Sequence, residues 1–212
     1  MSRRMHAATS AADFLPAQRT LAALRAAAAG CRGCDLWKHA TQTVFGEGGR
    51  DARVMLVGEQ PGSEEDRAGH PFVGPAGRLL DRALQAAGIA RRDAHVTNVV
   101  KHFKWEPAGK RRIHAKPTRL EITACLPWLQ AELDVVKPEA VVCLGATAAQ
   151  ALLGPRFRVT KQRGQWLSVP AAPRVLATVH PSSILRAPDD DTREREFEAL
   201  VADLAVVRAA LE

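Results

Sequence analysis

Two cysteines three positions apart, Cys31 and Cys34, enclose Arg-Gly, a turn that can put two sulfur ligands on one metal. A redox dithiol of the thioredoxin kind follows a strand and opens a helix. This pair follows a helical apolar repeat instead, so metal ligation is the better reading. Two thiolates do not close a tetrahedral site, and Cys125, Cys143 and His102 compete for the remaining places. Cys143 lies within an unbroken apolar run, 141–144, where a thiol behaves as a small hydrophobe. Cys31, Cys34, His102 and Cys125 are therefore the favoured set, with Cys143 as the alternative fourth ligand, and zinc and iron both remain open.

A second group of chemically capable residues sits just past apolar runs. Gly58-Glu59-Gln60-Pro61-Gly62 follows one, Asn98 ends another, and His180-Pro181-Ser182-Ser183 follows a third. A carboxylate, a carboxamide and an imidazole could recognise a polar ligand and manage a proton if the runs were parallel strands sharing one edge. Beside them, residues 101–119 hold seven Lys or Arg (Lys101, Lys104, Lys110, Arg111, Arg112, Lys116 and Arg119) against one acid, Glu106. That net +6 is nearly the whole +7 of the protein. A field of one sign costs self-repulsion, which phosphates relieve. No aromatic ladder accompanies it, so it tracks a backbone rather than reading bases. A phosphate groove beside a small pocket suits an enzyme that works on one extruded base.

These groups need a scaffold. Short apolar runs at 52–58, 95–100, 140–145 and 174–180 read as strands. Helical repeats lie around 15–29 (with Pro16 in its first turn), 74–88, from Thr118 to before Lys137-Pro138, up to Leu153, and from about Thr192. Residues 159–169, interrupted by Gly164, read as a hairpin or an edge piece, and 101–116 as a long basic loop. Alternating strands and helices with apolar strand interiors predict a three-layer αβα sandwich around a mostly parallel four-stranded sheet. No linker divides the 212 residues, so one domain is expected, with residues 1–12 outside its packed part.

Composition narrows the class. With 46% apolar and 25% charged residues the chain can fill a core, which excludes a disordered protein. Four cysteines are too few for a secreted disulfide scaffold, no stretch is long enough to cross a membrane, and no apolar segment follows the basic start. A soluble, intracellular, cytoplasmic protein is expected, and nothing in the sequence calls for an oligomer. Gly58 to Gly62 lacks the G-x-G-x-x-G spacing of a dinucleotide site.

Five segments carry a family resemblance over nearly the whole chain: the Gly58 to Gly62 motif, Pro71-Phe72-Val73-Gly74-Pro75-Ala76-Gly77, Val96-Thr97-Asn98, Lys110-Arg111-Arg112-Ile113-His114, and His180 through Arg186. Together they resemble the iron–sulfur (family 4) uracil-DNA glycosylases. Gln60 and the Lys-Arg-Arg-Ile-His insert resemble the UdgX branch, whose members bond covalently to their substrate DNA. The general family has cysteine where this chain has His102, and the branch has histidine. The resemblance therefore implies a 4Fe–4S cluster on Cys31, Cys34, His102 and Cys125, with Cys143 left in the core.

The resemblance also implies site roles. Phe72 stacks on an extruded uracil, Asn98 reads its pairing edge, Gly58 and Gln60 close the pocket, and His180 donates to the departing base. His114 replaces water as nucleophile, with Glu59 holding its tautomer. Lys110, Arg111, Arg112, Ser182, Ser183 and Arg186 contact DNA phosphates. The implied partner is uracil-containing DNA, single-stranded by preference, and one covalent turnover by a monomer is the expected limit. A conventional turnover glycosylase and a non-catalytic iron–sulfur DNA-binding module are the alternatives.

Overall fold

Residues 54–58 are buried on both faces, and the remaining strands are laid on either side of them. The computed structural model describes residues 10–170 and 172–212. Strand β1 (Val54–Gly58) pairs in parallel with β2 (Ala94–Asn98) on one side and β5 (Ala140–Leu144) on the other. β5 pairs in parallel with β7 (Ala172–Thr178), and β6 (Trp166–Val169) closes the edge antiparallel to β7. The order β2-β1-β5-β7-β6 has five strands rather than four, because the 159–169 segment supplies a short helix, α6 (Val159–Gln162), and then the edge strand. The expected basic loop is also ordered: β3 (Trp105–Ala108) and β4 (Arg111–His114) form a separate two-stranded hairpin.

Side chains alternate along each strand, as a period of two requires. Met55, Val57, Val141, Cys143, Val175 and Ala177 join one core with α1 (Leu21–Ala28), α4 (Arg119–Val136) and α5 (Ala146–Leu153). Val54, Leu56, Val142, Leu144 and Leu176 join the other with α3 (Pro75–Ala86), α7 (Pro181–Ile184) and α8 (Asp190–Ala209). Helices therefore cover both faces. Trp128, fully buried, anchors the first layer edge-on to Phe45 at 6.0 Å between ring centres.

Helix ends follow local chemistry. α4 opens on a capping box in which Thr118 and Glu121 satisfy each other's backbone N–H, and it stops at left-handed Lys137 before Pro138. α1 begins at Leu21, later than the expected 15, because the Thr20 hydroxyl caps it, and Pro16 lies outside the helix. A short helix, α2 (Ser63–Ala68), follows the Gly58 to Gly62 motif. At the amino end Ser10 caps a turn of 3-10 helix at Ala11–Phe14, with Ala11 buried, so packing begins two residues earlier than expected. Residues 1–9 lie outside the described residues. Among the described residues no helix is long and apolar enough to cross a membrane.

One buried polar cluster ties β2 to α4. Lys101 and Glu132 are fully buried and ion-paired, and Lys101 Nζ also donates to Thr97 Oγ1 at 2.6 Å and the Asn98 carbonyl at 2.7 Å. Burial pushes the Glu132 carboxyl up, but Lys101 and His95 outweigh it and hold it below the ordinary value. Lys101 was expected among the surface charges of the basic segment; it is an interior group, neutralised in place. Replacing it by Met strands a buried carboxylate, and urea unfolding should show a loss of about 3–5 kcal/mol. Adding Glu132→Leu should recover much of that loss; a K101M variant as stable as the parent would contradict this account.

Candidate active site

Parallel register places the ends of the strands together. Gly58 pairs with Asn98, Cys143 with Val57, and Leu144 with Thr178, so Glu59, Asn98, Gly145 and His180 emerge on one rim. A cavity of about 680 Å³ opens there, lined among others by Glu59, Gln60, Phe72, Asn98, His114 and His180. Gly58 creates its inner slot: a Cβ on this residue would overlap Asn98 Oδ1 and reach within 2.7 Å of the Phe72 ring. Asn98 Oδ1 is buried with no hydrogen-bond partner, although its main-chain carbonyl is held by Lys101. A buried acceptor without a donor costs about 1–3 kcal/mol, and a ligand N–H entering the slot would recover it.

Phe72 stands over this slot with φ of +57°, a conformation that non-glycine residues adopt only under constraint. The constraint is visible: Gly77 packs against the Phe72 carbonyl so closely that any Cβ would collide with it. The Phe72 ring lies 6.0 Å from His180, inclined by 28°, leaving an aromatic wall beside the Asn98 acceptor.

His180 is set as a neutral donor. The Ser182 backbone N–H donates to Nδ1 at 3.1 Å and the Ser182 hydroxyl lies 2.9 Å from the same atom, so Nδ1 accepts and the ring proton resides on Nε2. Desolvation, aided by Arg186 and His114, lowers its pKa to about 4. Ser183 donates to the His180 carbonyl at 2.7 Å. Both serine hydroxyls thus bond within the His180 turn, Ser182 at the ring and Ser183 at the carbonyl.

His114 comes to the cavity on the β3–β4 hairpin. Its Nε2 faces Glu59 Oε1 across 3.4 Å, and its side chain is 50% exposed. The hairpin is strapped at both ends by one side chain: Gln60 Nε2 donates to the carbonyls of Lys104 and Ala115, and Gln60 Oε1 accepts from Lys104 N, each at 3.1 Å. Gln60 lines the cavity, but its carboxamide is spent on the hairpin rather than free for a base. Arg112 supplies a second strap. It pairs with fully buried Asp66 and donates to Thr41 Oγ1 at 3.2 Å, to Ser63 O at 3.1 Å and to Ser63 Oγ at 3.0 Å. It also lies over the rings of Phe103 and Trp105. Arg112 thus ties the hairpin to α2 and to Thr41.

With Lys101 and Arg112 internal and Lys104 paired to Glu121, the exposed cations of this segment are Lys110, Arg111, Lys116 and Arg119. Lys110 and Arg111 lie at and just past the hairpin turn, while Lys116 and exposed Arg186 line the cavity mouth.

The sulfur residues separate into two environments. Cys143 is buried in β5, and desolvation alone pushes its thiol up to about 12. Cys125 reaches about the same value through burial, but feels Cys34 and Cys31 nearby and accepts an N–H from Lys101 at 3.3 Å. Cys31 accepts the Trp128 indole N–H at 3.3 Å. Burial also raises the Cys34 thiol, with Cys31 adding to it. His102 Nε2 lies 2.9 Å from the Thr43 hydroxyl, and desolvation lowers its pKa to about 4, which keeps the imidazole neutral and able to ligate. Among the described residues no three His, Cys, Asp or Glu converge closely enough to hold a single metal ion. The donor chemistry nevertheless fits a thiophilic centre: three neighbouring thiols, two of them faced by N–H donors, with Cys143 apart.

The pattern of the Uracil DNA glycosylase superfamily matches residues 45–205. The chain belongs to that superfamily. It is 40% identical over 169 residues to the type-4 uracil-DNA glycosylase of Thermotoga maritima, covering 79% of this chain and 84% of the relative. It is 38% identical to the type-4 enzyme of Pyrobaculum aerophilum, over 74% and 81% of the two chains. A more distant similarity, 30% over 80% and 81%, links it to the type-5 enzyme of Thermus thermophilus.

One participant in this superfamily member was invisible in the motifs. Thr147 donates its hydroxyl to Glu59 Oε2 from the first turn of α5. The rim argument, applied to the end of β5 as to the other strands, would have found it. The state of His180 has a measurable consequence. An unfolded imidazole titrates near 6.5, well above the folded value of about 4. Its contribution to stability is therefore complete above the unfolded value and is lost as pH falls through the folded one. His180→Asn should flatten that part of the stability profile in urea unfolding at stepped pH; an unchanged profile would refute the assignment.

Proposed function

We propose that this protein excises uracil from DNA and is then captured on the abasic site through His114. The observation that carries the reading is the meeting of an unpaired buried acceptor, Asn98 Oδ1, with His114 and Glu59 around one cavity. An extruded uracil presents N3–H to that acceptor, whereas cytosine presents a lone pair, and the mismatch rejects it. Phe72 stacks on the base, and the small space above Gly58 admits its edge.

Bond breaking follows from the donor on His180. The C1′–N1 bond cleaves with its electron pair leaving on the base, and the Nε2–H of neutral His180 stabilises the charge arriving at the uracil O2. The sugar carbon is left electron-poor. The unprotonated ring nitrogen of His114 gives its lone pair to C1′, and the positive charge on the imidazole is balanced by Glu59, which draws on the remaining ring proton. No water is built into that bond, so release is not expected.

Lys110, Arg111, Lys116 and Arg186 neutralise phosphates around the extruded nucleotide. Extrusion costs least from an unpaired strand, which favours single-stranded DNA bound by one copy. Cys31, Cys34, Cys125 and His102 would hold a 4Fe–4S cluster. A cluster takes one ligand per iron, so these side chains need not converge on a point. When bound it supplies a redox-active cross-link between the cysteine turn, the exit of β2 and α4.

Two measurements test the reading. After incubation with uracil-containing single-stranded DNA, intact mass should show a denaturant-stable protein–DNA species, and His114→Ser should lose it while freeing uracil by hydrolysis. Multiple turnovers with no adduct in the unaltered protein would make water the nucleophile. Separately, the purified protein should absorb at about 400 nm, and Cys125→Ser should lose iron and that band; stoichiometric zinc in a colourless protein would exclude the cluster.

A further inference from the structure

We propose that Thr147 is a positioning residue that fixes the Glu59 carboxylate so that it selects one tautomer of His114. The inference rests on the capture mechanism above and concerns a residue that takes no part in reading the base. Glu59 has two carboxylate oxygens with different tasks: Oε1 faces His114 Nε2 at 3.4 Å, and Oε2 accepts the Thr147 hydroxyl. A terminal carboxylate torsion is soft and roughly two-fold, so one oxygen must be tied for the other to keep its aim.

Thr147 suits that task. It is 5% exposed in the first turn of α5, whose start is bound to the rim by the hydrogen bond from Gly145 N to Thr178 O at 2.9 Å. Its χ1 is confined to few rotamers within a helix, and the bond to Glu59 selects the one that points the hydroxyl at the carboxylate. Its single proton is committed to Glu59, leaving none for the base. Glu59 itself lies just past the end of β1, and its carbonyl accepts from Val100 N at 3.0 Å. The backbone is thus held and only the carboxylate torsion remains to be set.

The consequence is a division of labour between two steps. Asn98, Phe72 and His180 govern release of uracil, and Thr147 reaches none of them in the reaction. Loosening Glu59 leaves His114 as a mixture of tautomers, one of which carries its proton on the attacking nitrogen and cannot bond to C1′. Water then competes for the sugar cation. Loss of Thr147 should therefore change the fate of the cation more than the rate of uracil release.

The experiment compares the unaltered protein with Thr147→Val, which keeps the shape and removes the hydroxyl, and Thr147→Ser, which keeps the hydroxyl. Single-turnover reactions with uracil-containing single-stranded DNA are scored for free uracil, covalent adduct and free abasic strand. T147V should lower the adduct-to-abasic ratio about tenfold, the effect of one hydrogen bond to a charged group, with uracil release within a few-fold of the parent, and T147S should restore the ratio. Nitrogen-15 NMR of labelled histidine should show one His114 tautomer in the parent and a mixture in T147V, a readout that also serves if the variant is less stable. An unchanged ratio and tautomer in T147V overturn the proposal, as does weaker DNA binding with the ratio intact. If the unaltered protein forms no adduct, the capture reading fails on its own. Thr147 is then judged on hydrolytic turnover: a fall in kcat of about tenfold at constant KM, restored in T147S, supports a role in aiming Glu59, and an unchanged kcat removes it.

Discussion

A two-stranded hairpin has too little apolar surface to hold a position in water, yet here such a hairpin carries the imidazole on which the proposed chemistry depends. β3 and β4 are largely exposed and belong to no larger sheet. Their position is imposed from outside by Gln60 at the stem, by the Arg112 pair with buried Asp66, and by the Trp105 indole donating to the His39 carbonyl at 2.9 Å. Much of what the motifs contain is thus mechanical: Gln60 and Arg112 hold the hairpin, and His114 is the side chain they place at the cavity.

The opposite wall of the cavity depends on main-chain proximity rather than on straps. At Gly58 the Asn98 carboxamide and the Phe72 ring come so close that a Cβ would meet both, and glycine there leaves the slot open. The left-handed turn at Phe72 is fixed by the close approach of Gly77, so an aromatic wall costs backbone strain that α3 absorbs at its first turn. The interior charge pair beneath Asn98 anchors that residue's carbonyl while its side chain stays unpartnered. One wall is rigid because the sheet is, and the other because three side chains tie it down.

Most of the framework was legible. Unbroken apolar runs mark the four parallel strands, and the carboxyl edge they share is enough to bring Glu59, Asn98 and His180 together. The edge strand β6 was ambiguous because Trp166–Val169 is short and half-buried, a pattern that a hairpin shares. Charge was read least well. Lys101, Lys104 and Arg112 look like surface cations in sequence, but their partners Glu132, Glu121 and Asp66 lie 17 to 46 positions away. Ion pairs with that separation leave no local signature. Thr147 was missed for a different reason: a single hydroxyl in an alanine-rich helix looks like ordinary helix composition unless the rim argument is carried to the end of β5.

The anchoring of the hairpin limits how its function could be moved by engineering or by descent. The ties that position His114 end on residues outside the 105–114 segment, in the strand exit, the following helix or the stretch at His39 and Thr41. Grafting the five-residue Lys-Arg-Arg-Ile-His stretch onto a sibling scaffold would transfer a reactive side chain without its mooring. A transplant that kept this placement would have to carry Gln60, Asp66, Ser63 and Thr41 as well.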